Sequence, residues 1–268
     1  MPKVTDAQME QWRAAIGREQ TETARLDGAA LERFAKAIGC DGPPRLGHWA
    51  CFLPSPDDKD IGPDGHPRRG AFLPAVSLER RMFASSEIVF HEPLMPGADA
   101  TRTSRVADLS HKQGASGDLI FAKVAIRIEQ DGVLRVSETQ TYVYRDTGAP
   151  IPLPDCDPHR DQEESWTPQE VNLFRFSAAT GNAHRIHYDL PYARDIEGYP
   201  ALVVHGPFTA ARLGERAARD GTLASFDFRA SAPMFCGQPI ALRKVSEGHY
   251  EAVRCDGVTG MTAHATFR

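Results

Sequence analysis

The residues best suited to chemistry in this sequence are histidines, and three of its ten histidines lie between positions 184 and 205. Histidine takes up and releases protons near neutral pH, so it often serves as a general acid or base. His187 follows a carboxamide, Asn182, by five positions and precedes a carboxylate, Asp189, by two. We expect His187 to be the catalytic acid–base residue, with Asn182 and His184 beside it in the site.

A glycine follows this cluster at the predicted start of a helix. We expect the helix to run from Pro207 to about Arg219 and to end at Asp220–Gly221. The N-terminus of a helix presents backbone N–H groups with partial positive charge, and glycine has no Cβ to obstruct a substrate carbonyl. Gly206 is therefore the candidate donor to a developing oxyanion, whereas His205 is expected to be structural.

Arginines in three places could bind an anionic part of a substrate. Arg185 lies inside the histidine cluster near Tyr188, and arginine suits bidentate contacts with phosphate or carboxylate. Arg68 and Arg69 form a cationic pair in a Pro/Gly-rich stretch, and Arg80–Arg81 form a second. We take Arg185, Tyr188, Arg68 and Arg69 as candidate substrate-binding residues, with exposed surface charge as the alternative for the arginines.

The histidine cluster also allows a metal site as an alternative. His184, His187 and Asp189, with His205 nearby, could supply three nitrogens and a carboxylate to zinc. However, His-x-x-His on a predicted loop is not the helical His-Glu-x-x-His arrangement of metalloproteases. We therefore expect no metal at this cluster.

The composition is that of an ordinary globular protein with enough apolar material for a core. The 268 residues are 41% hydrophobic and 25% charged, with a formal net charge of -5. A slightly acidic chain argues against a strongly basic nucleic-acid surface, and no window approaches the roughly 18 apolar residues of a membrane span. We expect no nucleic-acid partner and no membrane insertion.

The N-terminus and the cysteines predict a cytoplasmic protein. The first twenty residues are polar and charged, without the apolar run of a secretory signal. An odd number of widely spaced cysteines without Cys-x-x-Cys indicates reduced thiols. The five are Cys40, Cys51, Cys156, Cys236 and Cys255.

Hydrophobic periodicity predicts helical sequence followed by antiparallel strands in each half of the chain. In the first half we expect a helix within about 5–39, irregular chain over 40–75 and strands over 86–145 with a hairpin turn at Asp131–Gly132. A proline-rich linker over 150–168 would separate a domain at 1–149 from one at 169–268.

The second half should repeat the order of helix and then strands. We expect a helix over Val171–Ala179, a short one over about 190–196 capped by Asp189, the longer helix from Pro207, and four closing strands after 223. A strand followed by Pro-x-x-x-Gly occurs in both halves, at Pro93–Gly97 and Pro233–Gly237. This echo indicates a duplicated helix-plus-sheet unit, although strand–turn–strand sequences also recur by chance.

Two blocks of the sequence resemble MaoC-like enoyl-thioester hydratases and dehydratases. The resemblance favours the branch that includes 3-hydroxyacyl-thioester dehydratase type 2 and the mesaconyl-C4-CoA and itaconyl-CoA hydratases, and it extends from about 45 to 268. In the second half it rests on Phe176–Asp189, Tyr192–Ala193, Glu197–Pro200 and Leu202–Pro207. In the first half it rests on Leu46–Trp49, Phe52–Pro54, Gly62–Gly70 and Arg80–Met82.

The resemblance implies an α+β double hotdog, in which two long helices are each wrapped by a curved antiparallel sheet. The wider family carries the motif Gly-Asp-x-Asn-Pro-x-His, whose Asp and His act on a water. Gly181 and His187 match it, whereas Asn182 replaces the Asp and His184 replaces the Asn. Because an amide has no accessible basic form, Asn182 could only orient the water, and His187 would carry more of the proton transfer.

The activity implied is that of a hydro-lyase, which adds water to the 2,3 double bond of an enoyl-CoA or removes it from a 3-hydroxyacyl-CoA. Such a reaction requires neither a metal nor a redox cofactor, and the CoA thioester is the substrate. A mesaconyl- or itaconyl-type substrate would bring an extra carboxylate for Arg185 or Arg68. The first half would hold the acyl chain and the CoA tail, in a monomeric pseudo-dimer or a homodimer. The alternatives are a hotdog acyl-CoA thioesterase and a non-catalytic acyl-CoA-binding subunit.

Overall fold

Within residues 4–114, 117–157 and 164–268, which the computed structural model describes, ten strands form one antiparallel sheet. They are β1 (Glu19–Arg25), β2 (Arg80–Phe90), β3 (Asp99–Gly114), β4 (Gly117–Gln130), β5 (Val133–Arg145), β6 (Ser165–Trp166), β7 (Leu223–Ala230), β8 (Ile240–Ser246), β9 (His249–Arg254) and β10 (Thr259–Phe267). The spatial order is β1-β3-β4-β5-β2-β7-β10-β9-β8-β6, so each half of the chain builds one half of the sheet.

The helices are short and lie on the sheet or on each other. They are α1 (Asp6–Arg13), α2 (Gly28–Ile38), α3 (Glu170–Thr180), α4 (Leu190–Asp195) and α5 (Gly206–Ala217). Asp189 caps α4 by accepting a hydrogen bond from the Tyr192 amide at 3.1 Å, as its sequence position predicts. The structure confirms the helices predicted at 171–179, 190–196 and 207–219, and their ends differ from the predicted ones by at most two residues.

The two half-sheets join through β2 and β7, which pair antiparallel from Ser85↔Arg229 to Val89↔Ser225. On β4 the even-numbered residues from 120 to 128 are buried, as the alternation predicts. Asp131 and Gly132 both have positive φ, 50° and 74°, in the β4–β5 hairpin, which fits the primed turn expected of Asp-Gly.

The halves differ in what covers the inner face of the sheet. Helix α5 packs against β7, β8, β9 and β10, whereas α2 packs against α3 and the 3-10 turn Gly47–Ala50. Among the described residues, no helix crosses β4 and β5 as α5 crosses the second half-sheet. The sequence led us to expect one wrapped helix in each half, and in the first half a cavity takes that place.

The prediction of helical sequence over about 5–39 is wrong for the middle of that segment. Residues Glu19–Arg25 form β1, which pairs with β3 at the edge of the sheet. The hydroxyls of Thr21 and Thr23 lie 3.5 and 3.1 Å from those of Thr103 and Thr101. Cross-strand pairs of this kind, which local periodicity does not reveal, favour a strand here.

The predicted linker packs against the second half of the chain, with residues 158–163 of it lying outside the described residues. The Ile151 amide donates to the Gly198 carbonyl at 3.2 Å, and the Gln238 side chain donates to the Pro154 carbonyl at 2.7 Å. Ser165–Trp166 form β6 and pair with β8. In the described part of the chain, no helix is long and apolar enough to cross a membrane.

The prediction of five reduced thiols is wrong for two of them. Cys156 and Cys255, which are 99 positions apart in sequence, form a disulfide with their Cα atoms 4.6 Å apart. The fold brings them together by laying the 150–157 segment along the turn between β9 and β10, a contact that cysteine spacing does not reveal. Cys40, Cys51 and Cys236 are free.

Replacing Cys255 by Ser should lower the free energy of unfolding by about 2–4 kcal/mol, because the bond closes a long loop and restricts the unfolded chain. Urea unfolding with and without reductant measures this loss. The Cys236→Ser variant, which removes a free thiol, is the control and should unfold like the parent protein. Five titratable thiols in the denatured, unreduced protein, rather than three, would contradict the assignment.

Candidate active site

A cavity of about 1230 Å³ lies between the first half-sheet and the histidine motif. The second half contributes Asn182, His184, His187 and Gly206 to its wall. The first half contributes the 47–50 turn, the loop around Gly65–Arg69, and the inner faces of β2 and β5. The structure thus brings all four predicted catalytic residues to one cavity.

His187 lies on a 3-10 turn, Arg185–His187, that follows the left-handed C-cap of α3 at Gly181. Its Nδ1 lies 2.7 Å from the Val203 carbonyl, so Nδ1 carries the proton and donates it. Nε2 is then the unprotonated nitrogen, and it has no hydrogen-bond partner among the described residues. Burial, together with the neighbouring His184, lowers the pKa of His187 to about 3, so the imidazole is neutral.

Four histidine rings form a contiguous row along the site. Ring centroids are 4.5 Å apart for His66 and His184, 5.5 Å for His184 and His187, and 3.5 Å for His187 and His205. His205 Nε2 lies 2.9 Å from the Ser177 hydroxyl, in keeping with its expected structural role. Burial holds the pKa values of His66 and His205 well below that of free histidine. Sequence reasoning missed His66, which enters the row from a loop 118 positions before His184.

His184 is held by a buried carboxylate that sequence reasoning also left without a role. Its Nε2 lies 3.0 Å from Glu197 Oε1, and the guanidinium of Arg80 lies 3.6 Å from the other carboxylate oxygen. Arg80 also stacks on the ring of Tyr199, at 4.9 Å. The charge of Glu197 is therefore shared between an imidazole and an arginine in a site almost closed to solvent.

The side-chain oxygen of Asn182 stabilises the loop that carries the histidine motif, residues 181–189, which we call the motif loop. Oδ1 accepts a hydrogen bond from the backbone amide of His184 at 3.0 Å, a local turn that asparagine favours. Its side-chain nitrogen has no partner among the described residues, and the residue lines the cavity. Asn182 can therefore hold the loop with one end and contact a water with the other.

The loop Gly62–Gly70 packs directly on the histidine motif. A Cβ at Gly65, where φ is +88°, would lie 1.9 Å from the Ala183 carbonyl oxygen, so only glycine fits. The backbone amide of Arg185 donates to the Asp64 carbonyl at 2.9 Å. This close contact places His66 against His184.

Gly206 is the first residue of α5, the helix whose N-terminus faces the cavity. A Cβ at Gly206 would come no nearer than 3.8 Å to the closest atom, the Phe83 carbonyl oxygen. Pro207 has no N–H, so the donors available there are the amide of Gly206 and those further along the first turn. The placement agrees with a role in stabilising an oxyanion.

The predicted substrate-binding residues divide into two groups. Arg185 and Tyr188 do not line the cavity, because Arg185 binds Asp189 at 2.6 Å and the Pro63 carbonyl at 3.0 Å, and Tyr188 points to solvent. Arg68 and Arg69 do line it. Arg69 donates to the carbonyls of Val76, Leu78 and Glu79, and Arg68 donates to that of Lys59.

Two of the residues that the zinc alternative would use have other hydrogen-bond partners. Asp189 is engaged by Arg185 and the α4 N-terminus, and His187 Nδ1 by a carbonyl. Among the residues that the structure describes, no group of three or more His, Cys, Asp or Glu side chains could hold a metal ion.

A second buried polar cluster supports the first-half wall of the cavity. Glu138 on β5 accepts hydrogen bonds from His48 at 3.1 Å, Trp49 at 3.2 Å and Ser86 at 2.6 Å. Burial alone would raise the pKa of Glu138, but hydrogen bonds from His48 and Ser86 hold it below its ordinary value. This carboxylate fixes the 47–50 turn, which the motif Leu46–Trp49 encodes, against the sheet.

Comparison with known structures confirms the double-hotdog fold. HtdX of Mycobacterium tuberculosis superposes with a TM-score of 0.70 at 17% identity, over 92% of this chain and 99% of that one. A MaoC-like dehydratase of Phytophthora capsici gives 0.65 at 17% identity, over 96% and 97%. A double-hotdog protein of M. tuberculosis gives 0.57 at 12% identity, over 93% and 95%.

Comparison at the sequence level identifies the family. The model of hydroxyacyl-thioester dehydratase type 2 matches residues 46–236. Mesaconyl-C(4)-CoA hydratase of Chloroflexus aurantiacus is 42% identical over 266 residues, 94% of this chain and 95% of that one. The mitochondrial hydroxyacyl-thioester dehydratase type 2 of Schizosaccharomyces pombe is 34% identical over 87 residues, 30% of this chain and 29% of that one. A family model that covers most of the chain and a relative of this identity over nearly its whole length show that the chain belongs to the hydroxyacyl-thioester dehydratase type 2 family and is a hydratase or dehydratase of CoA thioesters.

Proposed function

We propose that the protein hydrates an enoyl-CoA whose short acyl group carries a second carboxylate, with His187 as the general base. The observation that carries the catalytic assignment is the hydrogen bond from His187 Nδ1 to the Val203 carbonyl, which leaves Nε2 free to take a proton. The substrate class is supported by the Chloroflexus aurantiacus relative, named a mesaconyl-C(4)-CoA hydratase. A mesaconyl group is an unsaturated, methyl-branched dicarboxylic acyl group.

In the proposed reaction a water held by Asn182 gives a proton to His187 Nε2, and its oxygen bonds to C3 of the enoyl group. The electrons of the double bond move to C2 and the thioester oxygen, which becomes an enolate. Backbone N–H groups at the start of α5, from Gly206 onward, stabilise that negative charge. The imidazolium then returns the proton to C2, so that one water is added and no redox cofactor is used.

The low pKa of His187 is compatible with a role as the base, because the imidazolium needs to be stable only while the negatively charged enolate lies beside it. Burial keeps the imidazole neutral in the free enzyme, and the negative charge that develops on the thioester favours the imidazolium. Glu197 fixes the orientation of His184, whose ring lies edge-on to His187. His184 is therefore proposed to position the base and the water. Arg68, at the exposed end of the 62–70 loop, is proposed to meet a CoA phosphate.

Replacing His187 by Gln should lower kcat by about a hundredfold to ten-thousandfold, because the base is removed while much of the shape is kept. The measurement is the loss of enoyl absorbance with mesaconyl-C4-CoA as substrate, and the gain of one water in the product mass. The matched control is His249→Gln, an exposed histidine on β9, which should retain full activity. Full activity in the His187→Gln variant would contradict the assignment, and thiol release without hydration would indicate a thioesterase.

The pH profile of kcat/KM should stay flat as the pH falls from about 7.5 to about 5.5. A histidine base with an ordinary pKa near 6.5 would lose about tenfold over this range because it becomes protonated. His187, with its pKa lowered to about 3, stays neutral throughout. Initial rates at subsaturating substrate test this, with circular dichroism at each pH to confirm that the protein stays folded.

The Gly65→Ala variant should lose at least tenfold in kcat/KM, since the new methyl group would collide with the Ala183 carbonyl and displace the motif loop. Gly97→Ala is the matched control, because φ there is also positive, +83°, but nothing lies within 4 Å of the added carbon. Both variants should melt at lower temperature, and only Gly65→Ala should lose activity. Equal activity in the two variants would show that the Gly62–Gly70 loop does not position the histidine motif.

A further inference from the structure

The second carboxylate of the proposed substrate needs a cation inside the cavity, and most arginines there are already engaged. Arg80 pairs with Glu197, and Arg102 pairs with Glu22. Arg69 donates to three backbone carbonyls of the segment that precedes β2. Arg185, which the sequence suggested for this role, is held outside the cavity by Asp189.

Arg145 also lines the cavity without an acidic partner among the described residues, and it donates to the Asp146 carbonyl at 3.4 Å. Arg81 is different, because among the described residues it has neither an acidic partner nor a hydrogen bond to a backbone carbonyl. It lies on β2 directly opposite Tyr144 of β5, on the face of the sheet that looks into the cavity. Its neighbour Arg80 lies on the other face of the strand and reaches Glu197 there. The polar group beside the Arg81 guanidinium is the buried hydroxyl of Tyr144.

The position of Arg81 is close to the reacting end of the cavity. Phe83 lies two residues along β2 on the same face, and a Cβ added at Gly206 would lie 3.8 Å from its carbonyl oxygen. Two strand positions correspond to about 7 Å. The charge of Arg81 also helps to hold the pKa of His66 low, and the His66 ring lies 4.5 Å from His184. An anion bound by Arg81 would therefore lie beside the histidine row.

Building on the proposed function, we propose that Arg81 binds the second carboxylate of the acyl group and so selects dicarboxylic over monocarboxylic enoyl-CoA substrates. A guanidinium offers parallel N–H donors that match the two oxygens of a carboxylate. In a mesaconyl-C4 thioester this carboxylate is attached to C3, the carbon that the water attacks, so the ion pair also orients C3 toward His187. A carboxylate that leaves water for this cavity needs such a partner.

The experiment compares two thioesters that differ in one group. Mesaconyl-C4-CoA carries a methyl group and a carboxylate on C3, and 3-methylcrotonyl-CoA carries two methyl groups. Arg81→Met should lower kcat/KM for mesaconyl-C4-CoA by about a hundredfold and change that for 3-methylcrotonyl-CoA less than threefold. The kcat/KM of Arg81→Lys for mesaconyl-C4-CoA should lie between those of the parent protein and Arg81→Met, since lysine keeps the charge but lacks the paired N–H donors of the guanidinium. The control Arg127→Met removes an exposed arginine on β4 that pairs with Glu129 and should change neither value.

Dissociation constants of both thioesters, measured by calorimetry in the His187→Gln background, extend the test to substrates that turn over slowly. The Arg81→Met change should abolish the preference for the dicarboxylic thioester. An equal loss with both thioesters would mean that Arg81 meets a CoA phosphate or supports the fold, and an unchanged preference would mean that it binds no anion. Either result overturns the proposal. If the parent protein hydrates neither thioester, the proposed function fails, whereas the binding preference still decides the role of Arg81.

Discussion

The hydrogen bond from His187 Nδ1 to the Val203 carbonyl determines which nitrogen of the imidazole faces the cavity, and backbone hydrogen bonds of the 203–204 segment hold that carbonyl in place. The Val203 amide donates in turn to the Ile186 carbonyl at 3.0 Å, so the two segments brace each other. The next amide, of Val204, donates to the Met234 carbonyl at 2.8 Å and ties the segment to the turn before β8. Because this carbonyl can only accept, His187 must carry its proton on Nδ1 and present a bare Nε2 to the cavity.

The two half-sheets differ in what packs against them. In the second half, α5 fills the concave face of the sheet with buried apolar side chains and delivers its N-terminus to the cavity. In the first half no comparable helix among the described residues fills the sheet, so β2 and β5 are free to form the wall of a large cavity. Other charged groups on or beside that wall already have partners: Glu138 accepts hydrogen bonds that stabilise its charged form, and Arg80 pairs with Glu197. Arg81 lines the same wall with neither an acidic partner nor a carbonyl acceptor among the described residues, which is why we propose it as the group that binds the substrate.

Local signals predicted much of the fold, and long-range contacts account for what was missed. The alternation on β4, the Asp131–Gly132 turn and the Asp189 cap each depend on a few neighbouring residues, and the structure confirms them. Local patterns do not predict strand β1, the Cys156–Cys255 bond or the contact of His66 with His184, because each depends on partners 74 or more positions away. Arg185 was assigned to substrate from its type, but its partner lies only four positions further along the chain. An arginine has several acceptors within reach, and the sequence does not rank them.

The presence of Asn182 at the position of the aspartate in the wider MaoC-like motif has a stereochemical consequence in the proposed mechanism. With an amide at that position, no carboxylate of the motif can deliver a proton from a second direction. Glu197 is buried behind His184 and held by Arg80, so it supports the imidazole and does not reach into the reaction itself. His187 then both takes the proton from water and returns it to C2, and it does so from one fixed position. The hydroxyl and the hydrogen must therefore add to the same face of the double bond, and the carboxylate held by Arg81 decides which face that is.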